Sequence, residues 1–135
     1  MKGKNPTGIK KIEPTRSELE ILQVLWEHGP STVRFVMEEL NKKREMNYTA
    51  VLRLMQLMAD KGILQRDQTQ MQHVYRVVEE ENKTKEHLLD KFLDTLYKGS
   101  AASLIIHLVD NKQATKEEIK KIKALLDKME KKPGE

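Results

Sequence analysis

The chain has 135 residues, of which 34% are charged and only 4% aromatic, and it contains no cysteine. The length allows one full domain, or a small domain with an appendage, and the composition suits a helical protein with small cores and much solvated surface. Disulfides, zinc–thiolate sites and thiol catalysis are excluded together. No apolar run approaches membrane-spanning length and no charged-then-apolar leader opens the sequence, so neither membrane insertion nor a secretory signal is expected, and the default location is the cytoplasm.

Charge is unevenly spread. Residues 1–12 carry four lysines and no acid, residues 13–82 carry nine basic and twelve acidic side chains, and residues 83–135 carry twelve and nine, for the net charge of +4. The middle segment is therefore not basic on average. It suits nucleic acid only if its cations gather on one face.

In chain order, residues 1–12 hold Lys, Gly and Pro without an apolar period and are expected to form a flexible basic arm. Thr15 with Glu18 is a capping box, so a helix is predicted from Arg16, with Leu19, Leu22, Leu25 and Trp26 as its inner face and Gly29-Pro30 as its stop. Ser31 or Thr32 can cap a second helix, Val33 to Lys43, lined inside by Val33, Val36, Met37 and Leu40. After a polar connector a third helix is predicted from Tyr48 or Thr49 to Lys61, ended by Gly62, with Val51, Leu54, Met55 and Met58 inward. Leu57 is read as completing the core and Leu52 as facing out.

The period then changes from helical to alternating. Leu64 to Asp67 and Val74 to Val77 read as strands joined by the polar run Gln68 to Gln72, a β-hairpin with a long tip. Three helices followed by a hairpin is the order of a winged helix-turn-helix, assigned to residues 13–78. Beyond Glu79-Glu80-Glu81-Asn82 come three more helical patterns, over residues 83–131. Their apolar positions are Leu89, Phe92 and Leu96, then Leu104 and Leu108, then Ile119, Ile122, Leu126 and Met129, the last helix opening on a second capping box, Thr115 with Glu118. Such short helices bury little area within one chain, so this region is expected to be a helical dimerisation domain that shares its core with a second copy. The expected fold is thus mainly α with a small β-hairpin wing, a winged helix-turn-helix followed by a C-terminal helical dimerisation region.

With its apolar stripe inward, the third helix leaves Asn47, Thr49, Ala50, Arg53 and Gln56 outward. Arg pairs with guanine, Asn or Gln with adenine, and small side chains meet a thymine methyl, so this face suits the major groove. Lys43 and Arg44 before the helix, and Arg66, Gln70 and Arg76 in and beside the wing, are the candidate backbone contacts. A solvated helix face is the plainer reading of the same residues, and the hairpin behind them argues against it. His28, His73, His87 and His107 are scattered without metal spacing, and no combination of catalytic roles appears, so no metal, cofactor or enzymatic activity is expected.

Pro14-Thr15 through Glu18 to Leu22, Val24-Leu25-Trp26 and Gly29-Pro30 resemble the opening of the BlaI/MecI/CopY repressors. Tyr48-Thr49-Ala50-Val51, Leu54 and Lys61-Gly62-Ile63-Leu64 are similar to that family's recognition helix and its exit, Val74-Tyr75 to its returning wing strand, and Thr115 to Lys128 to its final helix. The resemblance covers residues 13–130. It implies a homodimeric transcriptional repressor on a pseudo-palindromic double-stranded operator, the helix at 48–61 in the major groove and the wing at 66–75 on the backbone. It also implies inactivation through a membrane-bound sensor metalloprotease or by metal. The cysteines of the copper-sensing branch are absent here. His107-Leu108 stands where the penicillinase repressors have the Asn-Phe bond that is cut, and Leu52, Leu57 and Met71 stand where the family often has basic or polar residues. A winged-helix protein-interaction module without sequence-specific DNA binding is the alternative, motivated by the near-neutral domain.

Overall fold

The computed structural model describes residues 13–69 and 71–130. The basic arm expected over residues 1–12, and Gln70, lie outside the described residues. The element order is α1 (Arg16–His28), β1 (Ser31–Thr32), α2 (Val33–Leu40), α3 (Tyr48–Asp60), β2 (Leu64–Asp67), β3 (Val74–Val77), α4 (Glu81–Tyr97), α5 (Ala101–Asp110) and α6 (Lys116–Glu130). The chain divides into two compact units between Leu88 and Leu89, inside α4 rather than in the acidic segment before it. Thr84, in the first turns of α4, is buried and its hydroxyl donates to Glu79 at 2.7 Å, which keeps this end of the helix with the first unit.

In the first unit α1, α2 and α3 each begin where a side chain can satisfy an orphan N–H group of the first turn. The Glu18 N–H donates to Thr15 Oγ1 at 3.2 Å, and the Thr15 N–H donates back to Glu18 Oε1 at 2.9 Å. Thr32 accepts from the Phe35 N–H and Asn47 from the Ala50 N–H. α2 is shorter than its period predicts. After Leu40 the chain tightens, with the N–H groups of Lys43 and Arg44 both donating to the Leu40 carbonyl, and Asn41 Oδ1 accepts from the Met46 N–H to close the connector. Gly62, at φ +87°, ends α3 in the left-handed conformation that an L side chain adopts only with strain.

The sheet has three antiparallel strands in the order β1-β3-β2, with Tyr75 opposite Ser31 on one side and Arg66 on the other. β1 is not foreseen by the sequence: its two residues carry no alternation, and both read as helix caps. Thr32 is a cap and a strand residue at once.

The core joins Ile21, Leu22 and Leu25 of α1, Val33, Val36 and Leu40 of α2, Val51, Met55 and Met58 of α3, and Leu64 and Tyr75 of the sheet. Leu52 and Leu57 exchange their expected roles. Leu52 packs against this cluster and lines a groove beside the sheet, whereas Leu57 is 39% exposed. Glu18 is 2% exposed, and its Oε2 receives the Lys61 ammonium at 2.8 Å, bracing the start of α1 against the end of α3. Three helices carrying a three-stranded wing make this unit a winged helix-turn-helix.

Among its described residues the second unit consists of helices joined by short turns. Ser100 caps α5, and Thr115 with Glu118 forms the second capping box at the start of α6. Tyr97 Oη and His107 Nδ1 lie 2.8 Å apart, with the Phe92 ring 5.7 Å from that of Tyr97. Among its described residues none is buried. Leu89, Phe92, Leu96, Leu108, Leu126 and Met129 are all exposed, and Leu104, Ile119 and Ile122 only partly covered.

Candidate nucleic-acid interface

α3 carries two neighbouring stripes, one open to solvent and one beside the wing. Thr49, Arg53, Gln56 and Asp60 follow one another at intervals of three to four residues and are all exposed, as is Ala50 beside them. Tyr48, Leu52 and Gln56 form the second stripe, four residues apart, which turns toward the wing. Asn47 sits just before the helix, where its side-chain carbonyl caps the Ala50 N–H and its amide N–H groups are left to donate to a partner. The N–H groups of Tyr48 and Thr49 have no intrahelical acceptor, so the exposed first turn also offers backbone donors.

Two open grooves flank the wing. One, of about 520 Å³, lies between α2, α3 and the sheet and is lined by Arg34, Tyr48, Gln56, Arg66, Gln72 and His73 among others. The second, of about 790 Å³, lies between the later part of α3 and the strands and includes Gln56, Asp60, Gln65, Arg66, Gln68 and Arg76. Gln56 and Arg66 line both. The structure thus brings Gln56, Arg66 and Arg76 of the expected contact set into one region, with Thr49, Ala50 and Arg53 on the adjoining exposed face of the same helix.

Lys43 and Arg44 sit elsewhere. They line a groove of α1 and α2 with Glu20, Glu27 and Glu39. The Arg44 guanidinium donates to Glu20 Oε1 at 2.6 Å and to Ser17 Oγ at 3.4 Å, so its charge is already answered. Arg76 is tied to Gln65, the residue directly opposite it on β2, whose amide oxygen accepts from its guanidinium. Arg53 and Arg66 make no side-chain hydrogen bond or ion pair among the described residues.

The wing also carries an acid. The Thr69 hydroxyl and N–H both donate to Asp67 Oδ1, at 2.7 and 2.9 Å, and these bonds hold the carboxyl below the ordinary aspartate range. Met71, fully exposed, follows close behind.

Arg34 is the contact that sequence reasoning missed. It stands on the first turn of α2, its guanidinium carbon 5.9 Å from the centre of the Tyr48 ring, an exposed cation–π contact worth about 0.5–1 kcal/mol. The two residues are far apart in sequence and only the packing of α2 on α3 joins them, so no spacing could have shown the pair. No group of three or more His, Asp or Glu side chains able to hold a metal occurs among the described residues, and no helix there is long and apolar enough to cross a membrane.

Residues 14–128 match the penicillinase repressor family. The chain belongs to the penicillinase repressor family. The match spans both units of the structure, from the cap of α1 into α6. Among curated relatives, this family member is 23% identical to the methicillin resistance regulatory protein MecI of Mammaliicoccus sciuri, over 88% of this chain and 97% of that protein. It is 26% identical to the penicillinase repressor of Bacillus licheniformis, over 88% and 94% of the two chains. With the penicillinase repressor of Staphylococcus aureus the identity is 22%, over 91% and 98%. These relatives are regulators by name, not enzymes.

Proposed function

We propose that this penicillinase repressor family member is a homodimeric transcriptional repressor that binds a pseudo-palindromic operator, with α3 in the major groove and the β2–β3 wing on the backbone. The observation that carries the reading is the exposed face of α3. Thr49, Ala50, Arg53 and Gln56 stand together beside a three-stranded wing, and the side-chain types match the hydrogen-bonding and methyl patterns of base edges. The two-fold operator follows from the second unit. Among the described residues its leucines, Phe92 and Met129 stand exposed, and a second copy supplies the same apolar faces in return.

The test is a mobility-shift titration of the full chain on promoter DNA upstream of its own operon, against random DNA of equal length. Preferential binding of the promoter DNA, with a dimer in the shifted species, is expected. Affinity no better than for random DNA at low salt would overturn the reading and leave the winged helix as a protein-interaction module.

A further inference from the structure

Over residues 13–82 acids outnumber bases by twelve to nine, yet the two grooves beside α2 differ in the charges that line them. The α1–α2 groove that holds Arg44 contains three glutamates. The groove between α2, α3 and the wing contains Arg34 and Arg66, and no carboxylate among its described lining residues. Neither arginine makes an ion pair among the described residues. Arg34 lies against the Tyr48 ring, which restrains a guanidinium while leaving its N–H edges open to a planar or tetrahedral oxyanion. The Gln56 and Gln72 amides face the same space.

We propose that this groove holds the sugar–phosphate backbone of one DNA strand, with Arg34 and Arg66 as its two cations and Tyr48 as the ring that positions Arg34. The proposal rests on the DNA-binding reading above. Tyr48 is the first residue of α3, so a phosphate held here fixes the register at which Arg53 and Gln56 meet the bases. Because Arg34 belongs to α2, the helix before the reading helix sets that register.

The test uses the full chain on its promoter DNA, with affinity measured across a salt series for wild type, Arg34→Ala, Tyr48→Phe, Tyr48→Leu and the Arg34→Ala/Tyr48→Leu double variant. Arg34→Ala should lose affinity by the same factor on promoter and random DNA and reduce the slope of log K against log salt by about one. Tyr48→Leu should share that loss, Tyr48→Phe should not, and the double variant should be no worse than Arg34→Ala alone. Both positions are exposed, so unchanged thermal unfolding followed by circular dichroism accompanies the expected result. An unchanged salt slope in Arg34→Ala, with promoter binding intact, overturns the groove proposal and leaves the DNA reading standing. A wild type that does not prefer promoter DNA takes both down. Displacement of DNA from wild type by sub-millimolar inorganic phosphate at constant ionic strength would mark a small-anion site and likewise overturn the proposal.

Discussion

Arg53 and Arg34 are both exposed, but different partners suit them. Arg53 stands on the exposed face of α3 and makes no side-chain hydrogen bond, ion pair or ring contact among the described residues, which suits a base-edge contact made only in the complex. Arg53→Ala should cost about 1–3 kcal/mol on promoter DNA and little on random DNA, read by paired titrations. Equal losses on both would reassign it to a phosphate. Glu18 tests the fold instead. Burial alone would raise its carboxyl, yet the Lys61 ammonium and the Thr15 N–H together bring it below its ordinary value of 4.5. A carboxyl lowered in the folded state stabilises above that value, and the benefit is lost as pH falls through the folded one. Glu18→Gln should therefore cost about 1–3 kcal/mol at neutral pH, the scale of one hydrogen bond to a charged group, and its melting curve should converge with wild type as pH drops below about 4.5. At this scale the sequence is legible where the interaction is local. The Thr15–Glu18 box, a local pair, is readable from spacing; the Glu18–Lys61 and Arg34–Tyr48 pairs, made across helices, are not. Leu52 and Leu57 show the same limit, since which of them meets the core depends on how distant elements pack on α3.

The elements themselves are largely readable, because caps and periods are properties of a few consecutive residues. β2 and β3 fall at the predicted residues, α1 begins after its predicted Thr15 cap, and α3 starts at Tyr48, one of the two first residues predicted for it. β1 escapes because two residues cannot display a period, and its existence depends on pairing with β3. The centre of that sheet is Tyr75, which is 1% exposed and paired on both sides, so it joins the wing to the helical core. Tyr75→Ala should destabilise the first unit by about 3–5 kcal/mol, in the range of large aromatic truncations in cores. Chemical denaturation should show the loss, and DNA binding should fall with it because the wing loses its anchor. Loss of binding without loss of stability would mean that the wing is held by something other than this side chain.

At the scale of the whole molecule the second unit stands apart: among its described residues it has helices, caps and apolar stripes but no buried side chain. A homodimer at micromolar concentration is the expected state in light scattering. Leu126→Asp, at a half-exposed position of α6, should shift that mass toward the monomer. Promoter affinity should then fall by a hundredfold or more, because each first unit would bind alone. A monomeric wild type would refute the shared core. The sequence could show that these helices lack a core of their own, but not where the chain divides. That boundary lies inside a continuous helix, where no turn signal marks it. The sorting of charge in the first unit has a consequence for the encounter itself. The α1–α2 groove gathers three glutamates around Lys43 and Arg44, whereas the groove between α2, α3 and the wing holds Arg34 and Arg66 with no carboxylate among its described lining residues. If that groove takes DNA as proposed, its local field should favour an approach to the polyanion with the groove leading. Wrong-face collisions are disfavoured, and salt should slow productive association more than the unit's net charge alone would suggest.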